Sequence, residues 1–149
     1  MNVTTTRATA VALITWVLHF IWEMAQARFF ASMWNLPVVQ ATRWCAGAAG
    51  WDVVIQILAY SVAALGIGDR SWALRRALSP VPVGIYLATG LTITVLIERW
   101  AILTGHWAYA PSMPLVAGIG LTPLLQWVIV PVLVLVAIRW VMRARRVVG

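Results

Sequence analysis

Four carboxylates and two histidines make up the acid–base repertoire of this chain, tyrosines apart. All but one of them sit where lipid alone would not select them. Glu23 has His19 one turn before it and Gln26 one turn after it, so the three share a helical face at i, i+4 and i+7. Asp52 is followed one turn later by Gln56. Glu98 closes an apolar run and is followed by the loop G-H-W-A-Y, which carries His106, Trp107 and Tyr109. Gln126 interrupts the last apolar run. The exception, Asp69, stands beside Arg70 in a polar connection and reads as a solvated charge. An ionisable group near the bilayer centre costs about 2.5–3.5 kcal/mol on insertion scales, so such groups face a bundle interior or wet cavity and serve a function.

Two chemistries suit this set. In one, Glu23, Glu98, Asp52 and His19 are general acids and bases acting on an apolar substrate that enters sideways from lipid. A carboxyl kept protonated by apolar surroundings delivers a proton to an alkene or leaving group. Trp22, Gln26, Gln56, His106, Tyr109 and Gln126 would then contact the substrate. In the other, His19, Glu23 and His106 are metal ligands, with Glu98 and Asp52 completing a mixed nitrogen and oxygen set suited to zinc or iron; haem held by His19 and His106 is a variant. No H-E-x-x-H, histidine box, Gly-rich phosphate loop or G-x-S-x-G occurs. The plain alternative pairs Glu23 with Arg28 and Glu98 with Arg99 as boundary groups reaching for water, with the glutamines as interhelical hydrogen-bond glue. A non-catalytic subunit of a membrane complex needs no more than that.

Those residues must be positioned by membrane helices. The 149-residue chain is 62% hydrophobic and only 10% charged, with a mean hydropathy of +0.89, far above soluble usage. Four apolar runs, near 8–31, 49–67, 81–103 and 115–141, match the roughly 20 residues a helix needs to cross the hydrocarbon. Backbone groups in lipid must be satisfied within the segment, so each run is expected to be a helix. The chain is thus an all-α integral membrane bundle of four transmembrane helices forming one domain over 1–149. Its formal charge of +7 does not point to nucleic acid, because the arginines cluster at the ends of apolar runs. Cys45 is the single cysteine, which rules out an internal disulfide.

Orientation follows from the arginines, the chain having no lysine. Arg7, Arg70, Arg75, Arg76, Arg139, Arg143, Arg145 and Arg146 fall on one side, against Arg28, Arg43 and Arg99 on the other. The excess of basic residues places both termini in the cytoplasm and the segments 31–48 and 104–114 outside. Trp34, Trp44, Trp51, Trp100 and Trp107 fit an outer aromatic belt, and Trp72 and Trp140 an inner one. A cleavable leader ending at Ala25-Gln26-Ala27 is the competing reading of the first run. It would put His19, Trp22 and Glu23 in a leader and leave an odd number of spans.

The last run has its own mechanics. Pro123 and Pro131 each lack an N–H, so both points should bend a helix, and Gly118 and Gly120 should thin it just before. A thinned, bent helix makes a cavity wall or a close packing face.

The motifs HFIWEMAQ (19–26), GWD (50–52), ERW (98–100), GHWAY (105–109), MP (113–114) and GIGLTPLLQW (118–127) together resemble a widespread group of small four-span bacterial membrane proteins, over nearly the whole chain. More distantly, Glu98 followed by Trp107 and Tyr109 is similar to membrane carotenoid-modifying enzymes, the heterodimeric-type lycopene cyclases and the carotenoid hydratases. Those cyclases carry Pro-x-Glu-Glu where the next helix begins, whereas this chain reads Thr122-Pro123-Leu124-Leu125-Gln126. The resemblance therefore implies an isoprenoid-like substrate and not the cyclases' acid pair. The expectation is a multi-pass protein of the bacterial inner membrane whose site opens outward and whose partners are membrane lipid and a hydrophobic small molecule. The small interior of four helices makes a homodimer the expected assembly.

Overall fold

The computed structural model describes residues 3–144, with side chains over 8–141. Four helices dominate: α1 (Val3–Gln26), α2 (Val38–Ile67), α3 (Pro80–Thr104) and α4 (Leu121–Ala144). All four contain windows long and apolar enough to cross a membrane. Each helix packs on two others in a closed ring, α1 on α2, α2 on α3, α3 on α4 and α4 on α1. Of the arginines that set the expected orientation, Arg145 and Arg146 lie outside the described residues, as do the side chains of Arg7 and Arg143.

Two boundaries differ from the sequence expectation. The second helix starts at Val38, not near 49, because Pro37 precedes it and the glycines at 47 and 50 weaken a helix by only about 1 kcal/mol each without ending it. At 30 residues and about 1.5 Å of rise per residue it is longer than the roughly 30 Å hydrocarbon core. Asp52 and Trp51 consequently lie halfway along α2 and not at its outer end. The fourth helix starts at Leu121, not at 115. Residues 115–120 instead form a small hairpin of β1 (Leu115–Val116) and β2 (Ile119–Gly120), turned through Ala117 and Gly118 at φ 50° and 81° as in a type I′ turn. Pro123 is then the third residue of α4, where its missing N–H has no intrahelical acceptor to lose, so it does not bend the helix. Gly118 and Gly120 belong to the hairpin and thin nothing. Pro131 does lie inside α4.

The loops at one end are clasped by backbone pairing. After α1 the chain tightens into 3₁₀ turns over 27–33, and Phe30 pairs with Tyr109 as an antiparallel bridge. The Ala31 N–H donates to Ala108 and the Ala110 N–H to Phe29, at 2.9 and 2.8 Å. Gly105, at φ 71°, caps α3 in the left-handed conformation that glycine adopts without a Cβ penalty, which turns the 106–110 loop back over the bundle. At the other end Arg139 of α4 donates to the carbonyls of Ala73, Arg75 and Arg76, holding the connection between α2 and α3.

The core departs from the belt expectation at Trp72, which is 1% exposed, stacks on Tyr60 and meets Tyr86 edge-on. Trp34, Trp44, Trp51, Trp100 and Trp140 are exposed. At Gly90 an added Cβ would collide with the Trp127 indole. Gly90→Ala should therefore destabilise the bundle by about 1–3 kcal/mol through overpacking, read as a lower melting temperature in detergent; an unchanged melting temperature would show that α3 and α4 separate freely there.

Candidate functional site

Polar groups of α1 and α2, with α3 joined through Tyr86, meet on α4 at Gln126. Its Nε2 lies 3.0 Å from His19 Nδ1, 3.0 Å from Glu23 Oε1 and 2.9 Å from Asp52 Oδ2. The Gln126 carbonyl in turn accepts from Gln26 Nε2 at 3.1 Å, and Gln26 Nε2 also donates to Glu23 Oε1 at 2.8 Å. Trp22 Nε1 closes the rim with bonds to Gln26 Oε1 and to the Thr122 carbonyl, both 3.2 Å. His19 is fully buried; its Nε2 faces Gln56 Oε1 at 3.0 Å, and Gln56 Nε2 donates to the Tyr86 hydroxyl. Three helix faces built on i, i+4 spacing deliver this cluster: Thr15, His19 and Gln26 on α1, Asp52 and Gln56 on α2, and Tyr86, Gly90, Thr94 and Glu98 on α3.

The hydrogens in the cluster can be counted. Because Gln56 uses its amide N–H on Tyr86, its carbonyl must accept from His19 Nε2–H, and the neutral imidazole then presents Nδ1 as an acceptor. Gln126 Nε2 has two hydrogens and faces three acceptors. Gln26 Nε2 supplies a hydrogen to one of them, Glu23 Oε1, so the donors suffice, and His19 Nδ1 stands 3.4 Å from Asp52 Oδ2, where an added proton would join the two directly. Among the described residues the cluster contains no arginine, and the ion pairs are His19 with Asp52 and Arg75 with Asp69. Neither Arg28 with Glu23 nor Arg99 with Glu98 pairs among the described residues; the Arg28 guanidinium lies over the Phe29 ring.

Glu98 forms a neighbouring centre. It is 6% exposed and its Oε2 accepts from the Tyr109 hydroxyl at 2.5 Å and from Trp107 Nε1 at 3.3 Å. Asp52 lies within Coulombic reach of both Glu98 and Glu23. The bridge from Phe30 sets the depth of Tyr109, and the Phe30 ring rests edge-on against Trp107 and Tyr109. Burial, and then the Glu98 hydrogen bond, push the Tyr109 phenol above its ordinary range. The phenol is kept protonated by folding. Its contribution is complete below the ordinary phenol value of about 10 and falls away as pH rises beyond it, because the unfolded phenol ionises first. The wild type should thus lose stability above that pH more steeply than Tyr109→Phe in melting experiments, and parallel profiles would contradict the buried contact.

His19, Glu23, Asp52, Gln26, Gln56, Gln126 and Trp22 are thus brought together, with Glu98 and Tyr109 beside them. His106 is not. It is exposed, bonded through Nδ1 to Thr104 at 3.0 Å and tilted against the Trp100 ring. The alternative ligand set of His19, Glu23 and His106 is therefore not assembled, and among the described residues no three His, Cys, Asp or Glu side chains are grouped as a metal ion requires. Both ring nitrogens of His19 already face glutamines, so His19 and His106 do not form a haem-ligand pair either. Tyr86 and Thr94 escaped sequence reasoning, although Tyr86, Gly90, Thr94 and Glu98 recur at helical spacing within an apolar run. The Thr94 hydroxyl and Trp72 Nε1 are the buried side-chain polar atoms without a partner among the described residues.

The fold and site define a bundle of four membrane-spanning-type helices around a buried polar cluster. Comparison with known proteins finds no matching family model, no matching curated protein and no matching solved structure.

Proposed function

We propose that this chain is an intramembrane acid–base catalyst acting on a lipid- or isoprenoid-like substrate in the bacterial inner membrane. The observation that carries the reading is the convergence of His19, Glu23 and Asp52 on the single amide nitrogen of Gln126. Simple helix glue needs no more than amides and hydroxyls, whereas this group gathers two carboxylates and an imidazole, with His19 Nδ1 3.4 Å from Asp52 Oδ2, where a proton can be held between them. Glu23 is the partly exposed member, flanked by Trp22 and Gln26, which makes it the entry point for a substrate arriving from lipid. In the reaction a carboxyl gives its proton to one carbon of a double bond and a neighbouring carboxylate or His19 takes a proton from an adjacent carbon. The double bond moves, and no oxidant is needed. The contact of Glu98 with Trp107 and Tyr109 unites the residues behind the carotenoid-enzyme resemblance and favours an isoprenoid chain. With the arginine-rich end in the cytoplasm, the Glu98 end faces outward.

The test is incubation of purified protein, reconstituted in vesicles, with a total bacterial lipid extract, followed by lipid mass spectrometry and metal analysis. New lipid species formed by metal-free protein are expected. Stoichiometric metal that disappears in His19→Ala would instead favour ligation. Protein with neither metal nor turnover would favour a non-catalytic subunit.

A further inference from the structure

Gln26, Gln126, His19, Gln56 and Tyr86 form a chain of contacts across the bundle. It runs from Gln26 Nε2 on Gln126 Oε1 at 3.1 Å, through Gln126 Nε2 beside His19 Nδ1 and His19 Nε2 beside Gln56 Oε1, both at 3.0 Å, to Gln56 Nε2 on the Tyr86 hydroxyl. Each member taken alone could be reversed, because an amide, a neutral imidazole or a phenol offers both a donor and an acceptor. Reversing one member reverses its neighbours, since two donors or two acceptors left face to face inside the bundle lose their hydrogen bond and stay out of water. The direction of the whole chain must therefore be imposed from outside it.

Two kinds of group can impose it. The carboxylates of Glu23 and Asp52 accept from Gln26 and Gln126, but they are pure acceptors only while ionised; a carboxyl that carries a proton is a donor as well. Trp22 is different. Its indole N–H donates and never accepts, and it lies 3.2 Å from Gln26 Oε1. The same N–H is 3.2 Å from the Thr122 carbonyl, a backbone group that cannot turn round, so Trp22 is tied to α4 independently of Gln26. With the Gln26 oxygen fixed toward the indole, its nitrogen faces Gln126 and the Gln126 nitrogen faces His19 Nδ1. The hydrogen of the neutral ring then belongs on Nε2.

We infer that Trp22 is a positioning residue: through Gln26 and Gln126 it holds His19 as the Nε2–H tautomer, with Nδ1 as the basic nitrogen beside Asp52, whatever the charge on Glu23. The role rests on the acid–base reading proposed above, because a base must keep its lone pair aimed at the reacting groups while protons come and go on the carboxyls. A proton taken up at Nδ1 makes the imidazolium and leaves from the same nitrogen, while the Nε2 hydrogen stays on Gln56. His19, Gln26, Gln56 and Gln126 are buried and Trp22 is half-buried, so the tautomer of a buried base is set from the edge of its cluster.

¹⁵N NMR of the full chain, labelled in histidine and reconstituted in vesicles, reads the tautomer whether or not any lipid is turned over. The chain has two histidines, and comparison with His106→Gln assigns the signals of His19. Wild type and Glu23→Gln should both show a protonated Nε2 and a bare Nδ1. Adding Trp22→Phe to Glu23→Gln keeps an aromatic ring and removes the N–H; the Nδ1–H form should then rise about tenfold, as the loss of one buried hydrogen bond predicts. Benzothienylalanine in place of Trp22 has the indole outline without its N–H, and it carries the same test should the double variant fail to fold. A wild type with its hydrogen on Nδ1, or a Glu23→Gln protein whose tautomer is unmoved by loss of the indole N–H, would overturn the assignment. The expected tautomer shift in protein that converts no lipid would uphold the role of Trp22 and count against the catalytic reading alone.

Discussion

Gln126→Leu should cost the folded bundle about 3 kcal/mol or more, enough to leave little intact protein after extraction in detergent. A single interhelical hydrogen bond in a membrane protein averages only about 0.6 kcal/mol, because the unfolded chain in lipid finds other partners. Gln126 is different because its amide serves His19, Glu23 and Asp52 and its carbonyl serves Gln26. Leucine fills much of the same space yet leaves Asp52 and His19 Nδ1 without its N–H groups and Gln26 without its carbonyl, Glu23 keeping only Gln26. Each orphaned buried group costs about 1–3 kcal/mol. Unfolding by denaturing detergent, compared with the wild type, measures the loss. A variant as stable as the wild type would mean that the cluster is held by the helices around it and not by this amide.

Asp52→Asn and Glu23→Gln should act differently, lowering turnover by about 10² or more while leaving the bundle folded. The amide preserves the shape of either carboxyl and keeps one acceptor oxygen for Gln126. It cannot give up or take a proton as the carboxyl does, so the transferable proton is lost. Loss of activity with an unchanged melting temperature is the expected pair of readings. A variant retaining full turnover would remove that carboxyl from the chemistry and shift the catalytic role to Glu98 with Tyr109.

Much of this arrangement is legible in the chain. Four long apolar runs can only be satisfied as helices in lipid, and the spacing of His19, Glu23 and Gln26, like that of Asp52 and Gln56, puts each group on one face before any coordinates are known. What stays hidden is depth and connection. The extension of α2 back to Val38 is masked by Arg43 and two glycines, which read as a loop yet cost less than the tertiary packing of the helix returns; Trp16 Nε1, for example, reaches the Ala46 carbonyl at 3.2 Å. The hairpin over 115–120 is masked because its turn places an alanine, Ala117, at positive φ, where asparagine or glycine would have announced it. Tyr86 looks like one more belt aromatic until Gln56 is found donating to it. His106 fails in the opposite direction: its type promises a ligand, but Gly105 turns the loop so that the histidine lies on the outer surface while Trp107 and Tyr109 reach inward. Sequence spacing within one helix is a local property and survives folding, whereas the partner across the bundle depends on register between helices, which no single run encodes.

The central claim is that protons pass between this cluster and an apolar substrate. Purified protein in vesicles of bacterial lipid, transferred to ²H₂O, tests it most directly through the mass of the extracted lipids. Acid–base chemistry at carbon leaves deuterium on a non-exchangeable position of one lipid class, in wild-type vesicles and not in Glu23→Gln or Asp52→Asn vesicles. Lipids that carry no deuterium after many hours with the folded wild type, or that carry the same amount with both variants, would contradict this chemistry.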